Sequence, residues 1–169
     1  KSGQTALDPS VGASYPLKAE ALKGRAGIGS DLSPEVARLA RERIGVEVEP
    51  SLFETPEQRV IESDACVVVP TLDTASVDLL VTSPPYWNIL HKKDHKVRQE
   101  RDAHGLASRY SEDDPNDLGN IDDYDSFLKE LASVFREARR VVKPKKHAAV
   151  VVSDFREGPR LHMFHADLA

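Results

Sequence analysis

A short apolar segment that ends at two consecutive prolines constrains the fold of this chain more than any other feature. The segment is VDLLVT, residues 77–82, and it has the length and composition of a buried strand in a parallel sheet. Pro84 and Pro85 follow, and neither can donate a hydrogen bond to a neighbouring strand. The backbone is therefore expected to leave the sheet at the carboxyl end of this strand, which is the edge where ligands bind in open α/β sheets.

The residues after this strand offer hydrogen-bond acceptors beside aromatic rings. Ser83 supplies a hydroxyl, Pro84 a rigid backbone carbonyl, and Tyr86 and Trp87 two aromatic faces for a substrate. Two acceptors can hold both N–H bonds of an aromatic amine out of the ring plane, which localises the nitrogen lone pair during attack. An aromatic ring can stack on a base that has been flipped out of a duplex. The pattern predicts a loop that alkylates aromatic amines, and the alternative is a Pro-Pro turn with a buried tyrosine.

The string TSPPYW, residues 82–87, resembles the catalytic motif of the S-adenosylmethionine-dependent amino-methyltransferases of DNA. Residues 7–13, LDPSVGA, resemble the motif that opens the cofactor site of the same family. The resemblance implies a Rossmann-like α/β fold with a mostly parallel sheet and flanking helices, expected here to be incomplete at one or both ends. It implies S-adenosylmethionine as the cofactor. It also implies a set of catalytic residues, namely Ser83, Pro84, Pro85 and Tyr86.

The implied reaction is transfer of the cofactor's methyl group to an exocyclic base amine. Ser83 in first place is similar to the branch that methylates cytosine N4 in DNA, whereas the N6-adenine branch more often has Asp or Asn there. Cytosine N4 is therefore the preferred target, in restriction-modification or in a regulatory setting. Adenine N6, an RNA base amine and a protein glutamine amide remain alternatives, because related loops act on planar amino groups generally. The target sequence and the oligomeric state do not follow from the residues.

The start of the chain has the features of a cofactor turn. Residues 5–7 form a short apolar strand that ends at Asp8 and Pro9. Gly12 suits the positive φ or the close backbone approach that a ligand turn needs. A helix over residues 17–23 is expected to follow. The first part of the cofactor site is therefore predicted directly after the first strand.

Two further strands are predicted to end at acidic residues. The strand over residues 26–30 closes at Asp31, which is placed to accept hydrogen bonds from ribose hydroxyls. The strand over residues 58–62 ends before Asp64, for which the resemblance implies a hydrogen bond from the adenine amino group. A helix N-cap is the other interpretation of Asp64, and both roles can hold together. The predicted cofactor-binding residues are Asp8, Pro9, Gly12, Asp31, Leu32, Asp64 and Ala65.

The cofactor turn departs from the family pattern at two positions. Ser14 and Tyr15 stand where the family usually has a second glycine and a threonine. The added side chains are expected to weaken cofactor binding or to remodel the pocket. A catalytically idle domain that binds nucleic acid or cofactor is therefore a hypothesis of another class.

Length and composition predict one domain over residues 1–169. The chain has 169 residues, of which 40% are hydrophobic and 30% charged, enough for one substantial core. No apolar run reaches the roughly 18 residues that span a bilayer, and no signal peptide is evident, so a soluble cytoplasmic protein without membrane association is expected. The single cysteine, Cys66, is expected to be buried. His91 and His95 lack a completing carboxylate or thiolate motif, so no metal site is predicted.

Helical and strand patterns fill the rest of the chain. Ser33 and Pro34 are typical of a helix start, and Gly45 is expected to end that helix. An apolar stripe predicts a second long helix over residues 122–142. The apolar residues 148–152 are expected to form a buried strand.

Residues 88–120 form a long, polar segment without clear periodicity, predicted to be a substrate-side loop or insertion. Its first part is locally basic, although the chain carries a formal net charge of −5. Lys92, Lys93 and Lys96 are therefore predicted to contact nucleic acid phosphates, with Trp87 beside them on the substrate side. DNA is the expected partner and RNA an alternative. A solvated helix or a mobile loop is the alternative interpretation of this basic stretch.

Overall fold

The computed structural model describes residues 3–12, 14–47, 56–88, 114 and 116–169. Five strands form one parallel sheet in the order β3-β2-β1-β4-β5, and two short strands form a separate antiparallel hairpin. The strands are β1 Thr5–Asp8, β2 Ala26–Asp31, β3 Gln58–Glu62, β4 Val77–Thr82, β5 Val142–Val150, β6 Phe155–Glu157 and β7 Arg160–His162. The helices are α1 Tyr15–Leu22, α2 Pro34–Glu47, α3 Ala65–Thr71, α4 Tyr124–Val141 and α5 Phe164–Asp167, with a 3-10 turn over Leu118–Asn120.

The two faces of the sheet carry different helices because side chains alternate along each strand. Gly29 of β2 faces α1, and a Cβ there would run into Val11 and Leu17. Ile28, one residue earlier, packs with the core that includes Leu7 of β1 and α3 and α4 residues. The lack of a side chain at Gly29 lets α1 and the turn before it lie directly on the sheet.

The expected parallel sheet with flanking helices is confirmed, and several predicted boundaries hold within a few residues. Ser33 caps α2, since its Oγ accepts a hydrogen bond from the Val36 N–H at 3.4 Å. The helix continues past Gly45 to Glu47, so the glycine does not end it. A glycine inside a helix costs only about 1 kcal/mol relative to alanine, which two turns of packing against the sheet outweigh.

The prediction of a buried strand over residues 148–152 was wrong. Strand β5 spans Val142–Val150 and lies at the edge of the sheet, and most of its residues are exposed. Ala148, Ala149 and Val151 all face solvent in the described part of the chain. An apolar run shows that a segment can form a strand, but it does not show on how many sides that strand is covered.

The amino-terminal edge of the sheet is fastened by one buried acid. Asp78 of β4 accepts hydrogen bonds from Lys143 Nζ at 2.7 Å and from the Thr5 backbone N–H at 3.2 Å. Lys146 adds a second ion pair at 3.0 Å. These donors, with the Lys143 bond contributing most, hold the pKa of Asp78 well below its ordinary value. The acid therefore ties together β1, β4 and β5 at the end opposite the predicted site.

None of the helices in the described part of the chain combines the length and the apolar character that crossing a membrane requires.

Candidate functional site

The turn after β1 brings a buried acid and a glycine to the carboxyl edge of the sheet. The Asp8 side chain is only 1% exposed, and its Oδ1 accepts a hydrogen bond from the Ser10 backbone N–H at 3.2 Å. Gly12 has φ of 46°, which confirms the prediction of a positive φ at this position. The turn is held against β2, since the Ser30 hydroxyl donates to the Pro9 carbonyl oxygen at 3.1 Å. Asp8, Pro9 and Gly12 therefore form one compact turn.

Asp31 at the tip of β2 fixes this turn in place. Its Oδ2 accepts a hydrogen bond from the Gly12 N–H at 3.0 Å, and its Oδ1 accepts one from the Ser33 N–H at 3.1 Å. The structure thus brings together Asp8, Gly12 and Asp31, three of the residues predicted to bind the cofactor. It also gives Asp31 a role that the sequence did not indicate, because its carboxylate holds the shape of the turn; the ribose role stays a prediction. Leu32 follows directly and is half-buried.

Ser14 occupies a strained position at the start of α1. Its φ is 60° and its ψ is 14°, a left-handed conformation that favours glycine, and it makes no side-chain capping bond. Its hydroxyl is buried without a hydrogen-bond partner among the described residues. The next residue, Tyr15, is exposed. The serine at this position therefore carries two physical costs, backbone strain and a hydroxyl without a partner among the described residues.

Replacing Ser14 with glycine is expected to stabilise the protein. The substitution removes the strain of a left-handed backbone and an unpaired buried hydroxyl, and each costs about 1–3 kcal/mol of stability. Because glycine is more flexible in the unfolded chain, part of this gain in the free energy of unfolding is lost. The net gain expected is about 1 kcal/mol in urea unfolding. Ser14→Ala is the matched control, since it removes only the hydroxyl and keeps the strain. A glycine variant no more stable than the alanine variant would contradict the strain argument.

Asp64 caps α3 at the end of the neighbouring strand. Its Oδ1 accepts a hydrogen bond from the Cys66 N–H at 2.7 Å, so the predicted capping role is confirmed. The Ser63 N–H donates to the Asp31 carbonyl oxygen at 3.0 Å, which sets the tips of β2 and β3 side by side. The adenine role of Asp64 and Ala65 stays a prediction.

Cys66 is exposed, which corrects the expectation of a buried thiol. It lies on the first turn of the short helix α3, and only Val68 and Val69 of that helix are buried. Partial desolvation and the neighbouring Asp64 charge raise the pKa of the thiol above its ordinary value. The thiolate is therefore disfavoured at neutral pH, so exposure does not make this cysteine a reactive nucleophile.

The predicted catalytic loop leaves the sheet directly beside the cofactor turn. Strand β4 pairs with β1, so Thr82 and Asp8 reach the same edge on neighbouring strands. The Thr82 hydroxyl is buried and close enough to lower the pKa of Asp8, although the two form no hydrogen bond of ordinary geometry. Beyond it Ser83 is exposed, Pro84 is buried, and Pro85 is half-buried. The loop and the turn thus leave the sheet at the same edge, from neighbouring strands.

Tyr86 is held from behind and remains partly exposed. Its ring packs edge-on against Phe164 of α5, with the ring centroids 5.8 Å apart and the planes at 62°. Phe164 itself is completely buried. A rigid partner behind the tyrosine restricts the ring without covering it fully.

Trp87 lies in the core, which corrects the expectation that it offers an open aromatic face to a substrate. Its side chain is 4% exposed, and its indole N–H donates to the Ile121 carbonyl oxygen at 2.7 Å. The ring packs edge-on against Tyr124 at 5.3 Å and tilted against His162 at 5.4 Å. Its φ is 49°, a strained value for a non-glycine residue. Trp87 therefore fixes the end of the loop instead of presenting a surface.

The contact between this part of the chain and the loop was not predicted from the sequence. Phe155 and Phe164 join Trp87 and Tyr124 in one buried cluster beneath the loop. The Tyr124 hydroxyl donates to Asp167 Oδ2 at 3.0 Å, and burial followed by this bond raises its pKa. The signal available was the pair of phenylalanines at 155 and 164, which periodicity alone does not connect to residue 87.

Burial makes Asp8 an unusually weak acid. Its pKa is raised from 3.8 to about 7, mainly by desolvation; the Thr82 hydroxyl and the Ser10 N–H oppose this increase in part, and the negative charge of Asp31 adds the smallest contribution. No lysine, arginine or histidine among the described residues pairs with it. A carboxyl group therefore lies buried at the carboxyl edge of the sheet, with no counter-charge from the described residues.

The lysines predicted to contact phosphates, Lys92, Lys93 and Lys96, lie outside the described residues. In the part of the chain that is described, no group of three or more histidine, cysteine or acidic side chains is arranged to hold a metal ion.

The sheet order, the turn after β1 and the flanking helices define an α/β fold of the Rossmann-like methyltransferase type. A SAM-dependent methyltransferase of Methanosarcina mazei matches with a TM-score of 0.53 at 18% identity, over 89% of this chain and 52% of that chain. Phosphoethanolamine N-methyltransferase 2 of Haemonchus contortus, in complex with S-adenosylhomocysteine, matches with a TM-score of 0.51 at 20% identity. The match covers 89% of this chain and 24% of that chain. The YcgJ protein of Bacillus subtilis matches with a TM-score of 0.50 at 15% identity, over 89% of this chain and 44% of that chain.

These identities establish a shared fold. The chain spans from about a quarter to about half of the length of those three solved chains, since it covers 24%, 44% and 52% of them. No protein-family model and no curated protein matches the sequence.

Proposed function

We propose that this chain binds S-adenosylmethionine at the edge formed by β1, β2 and β4 and transfers its methyl group to a planar exocyclic amine. The observation that carries the proposal is the position of the loop over residues 83–86, which leaves β4 beside the turn formed by Asp8, Gly12 and Asp31. A methyl donor and an amine acceptor must meet in one place, and the two motifs share one sheet edge.

The residues at this edge fit the cofactor. Asp31 and Asp64 are acceptors at the tips of adjacent strands, suited to the ribose hydroxyls and the adenine amino group. Gly12 allows close backbone approach, and the uncompensated Asp8 carboxyl suits a ligand that carries positive charge. When bound, S-adenosylmethionine supplies an electrophilic methyl group on a sulfonium. The remaining work of the reaction falls to the loop.

The loop has free acceptors for an amine. Among the described residues, neither the Ser83 hydroxyl nor the Ser83 and Pro84 carbonyl oxygens accept a hydrogen bond. Two such acceptors can hold the N–H bonds of an amine and stabilise the positive charge that develops on nitrogen during transfer. The Tyr86 ring, backed by Phe164, offers a partly exposed surface on which a planar substrate can stack. The proline backbone keeps these groups from moving apart.

Cytosine N4 in DNA is the substrate we propose, and the serine at the first position of the loop supports it. Adenine N6, an RNA base amine and a protein glutamine amide present the same planar geometry to the loop. The phosphate contacts proposed for Lys92, Lys93 and Lys96 favour a nucleic acid over a protein substrate.

A second candidate is a cofactor-binding domain without turnover. The strained Ser14, with its unpaired buried hydroxyl in the cofactor turn, is the observation that favours it. Such a domain would bind S-adenosylmethionine and leave every amine unmodified.

Product analysis tests these alternatives directly. The chain is incubated with isotope-labelled S-adenosylmethionine and one substrate at a time. The substrates are a DNA duplex of G·C pairs only, a DNA duplex of A·T pairs only, single-stranded RNA and a glutamine-containing peptide. The methylated products are identified by mass. The proposal predicts N4-methylcytosine. N6-methyladenine alone would overturn the cytosine assignment while keeping the loop mechanism. Binding of the cofactor with no methylated product would support the idle domain.

A further inference from the structure

We propose that strand β5 pairs with the same strand of a second copy of this chain, so that two five-stranded sheets join along one edge. Within the described part of the chain, β5 is the outermost strand beside β4, and no strand lies on its other side. An open edge presents backbone donors and acceptors with which another strand can pair. This pairing does not depend on the proposed methyl transfer.

The hydrogen bonds between β5 and β4 show which backbone groups point outward. The Val151 N–H donates to the Thr82 carbonyl oxygen at 2.9 Å, and Val150 lies opposite Thr82 in the parallel register. Along a strand, the N–H and C=O groups of alternate residues point to alternate sides. The groups of Val150 and Ala148 therefore point away from β4, toward the open edge.

One half of this edge lacks the charges that usually prevent strands from pairing. Lysines on an edge strand discourage pairing with another chain, and three of them lie in the first half of β5, namely Lys143, Lys145 and Lys146. Residues 148–152, AAVVV, carry no charge. Ala148 and Ala149 are exposed, and the Val151 side chain is 61% exposed. Pairing is therefore open along residues 148–152.

Charge complementarity indicates that the second strand is a copy of the first. Lys146 precedes the apolar residues and Asp154 follows them. A twofold axis at Val150 sets the two strands antiparallel and brings Lys146 opposite Asp154 of the second copy. Moving the axis by one residue in either direction sets Lys146 opposite Val152 or Arg156 instead. The charges therefore favour the register centred on Val150.

The two charged side chains are held in place and still reach solvent. Lys146 Nζ lies 3.0 Å from Asp78 Oδ1, and the Lys146 side chain is 35% exposed. Asp154 Oδ1 lies 2.6 Å from His165 Nδ1, and the Asp154 side chain is 34% exposed. Each can therefore take a second partner of opposite charge. Because exposed ion pairs add little affinity, their role is to set the register.

Disulfide formation tests the register. Cys66 is the one cysteine of the chain and is exposed, so Cys66→Ser gives a background without thiols. In that background, Val150→Cys places two thiols across the axis with Cα atoms about 5.5 Å apart, within disulfide reach. Ala148→Cys is the matched control, because its two copies lie four residues apart along the strands, roughly 13 Å. Mild oxidation should give a covalent dimer of Val150→Cys and none of Ala148→Cys.

Sedimentation equilibrium tests the dimer itself. The parent should sediment with twice the mass of one chain. Ala148→Pro removes an outward N–H from each copy, and proline is tolerated on an edge strand where its nitrogen faces away from the sheet. The dissociation constant should therefore rise about tenfold or more. Ala148→Ser keeps this N–H and should match the parent.

Three results would overturn the proposal. A parent that stays monomeric into the millimolar range would exclude the second copy and leave this edge to a strand of another polypeptide. A dimer that resists Ala148→Pro would place the contact elsewhere. Cross-linking at position 148 equal to or faster than that at position 150 would exclude the axis at Val150. If Ala148→Pro does not fold, the two cysteine variants decide alone.

Discussion

Replacing Trp87 with alanine is expected to destabilise the protein by about 3–5 kcal/mol, the usual cost of emptying a large aromatic site in a core. The ring is 4% exposed and packs against Tyr124, Phe155 and His162, so little can move in to fill the space. Denaturant unfolding followed by far-ultraviolet circular dichroism measures the loss.

Trp87→Phe separates packing from hydrogen bonding at this site. Phenylalanine keeps most of the ring contacts but loses the N–H that donates to the Ile121 carbonyl oxygen. Its expected cost is smaller, about 1–3 kcal/mol. An alanine variant that loses less than about 1 kcal/mol would show that Trp87 is not part of the core, and the support proposed for the catalytic loop would fail with it.

The second large effect is a gain in stability when Asp8 is replaced, whereas most substitutions of buried residues lower stability. Since the pKa of Asp8 is about 7 in the folded protein and 3.8 ordinarily, the folded state binds more protons between these values. Parental stability should therefore fall as pH rises from about 4 to about 7 and change little above that. Asp8→Asn lacks this penalty, so it should be more stable than the parent by up to about 4 kcal/mol at pH 8.

Urea unfolding of the parent and Asp8→Asn at pH 4.5, 6 and 8 measures this difference. The gap between the two proteins should widen with pH. Asp73→Asn, in an exposed connection, is expected to follow the parent at every pH. A gap that stays constant, or that closes as the pH rises, would mean that Asp8 is ionised in the folded protein well below neutral pH.

The features that could be predicted from sequence are those set by neighbouring residues. The prolines after β4 stop its pairing wherever the strand lies, and Gly12 has the positive φ that its turn needs. Alternating apolar strands and helices indicated the parallel sheet. Because parallel strands deliver their carboxyl ends to one edge, the sequence alone places Asp8 and Asp31 near each other.

The features that could not be predicted depend on contacts between distant residues. Trp87 is buried because its indole N–H donates to the carbonyl oxygen of Ile121, 34 residues later, and its ring packs against Phe155 of the hairpin, more than 60 residues away. Strand β5 reads as a core strand, yet its edge position leaves it exposed. The raised pKa of Asp8 likewise results from burial of its strand between two other strands, which no local pattern around residue 8 reveals.

The central claim is that the loop over residues 83–86 orients an amine for methyl transfer, and single-turnover transfer by Ser83→Ala tests it most directly. Ser83 is exposed and accepts no hydrogen bond from the described residues, so its removal should leave folding and cofactor affinity unchanged. The rate of transfer should fall by roughly ten- to a hundredfold, which corresponds to about 1–3 kcal/mol of lost hydrogen bonding. Transfer at the parental rate with unchanged cofactor affinity would contradict the claim.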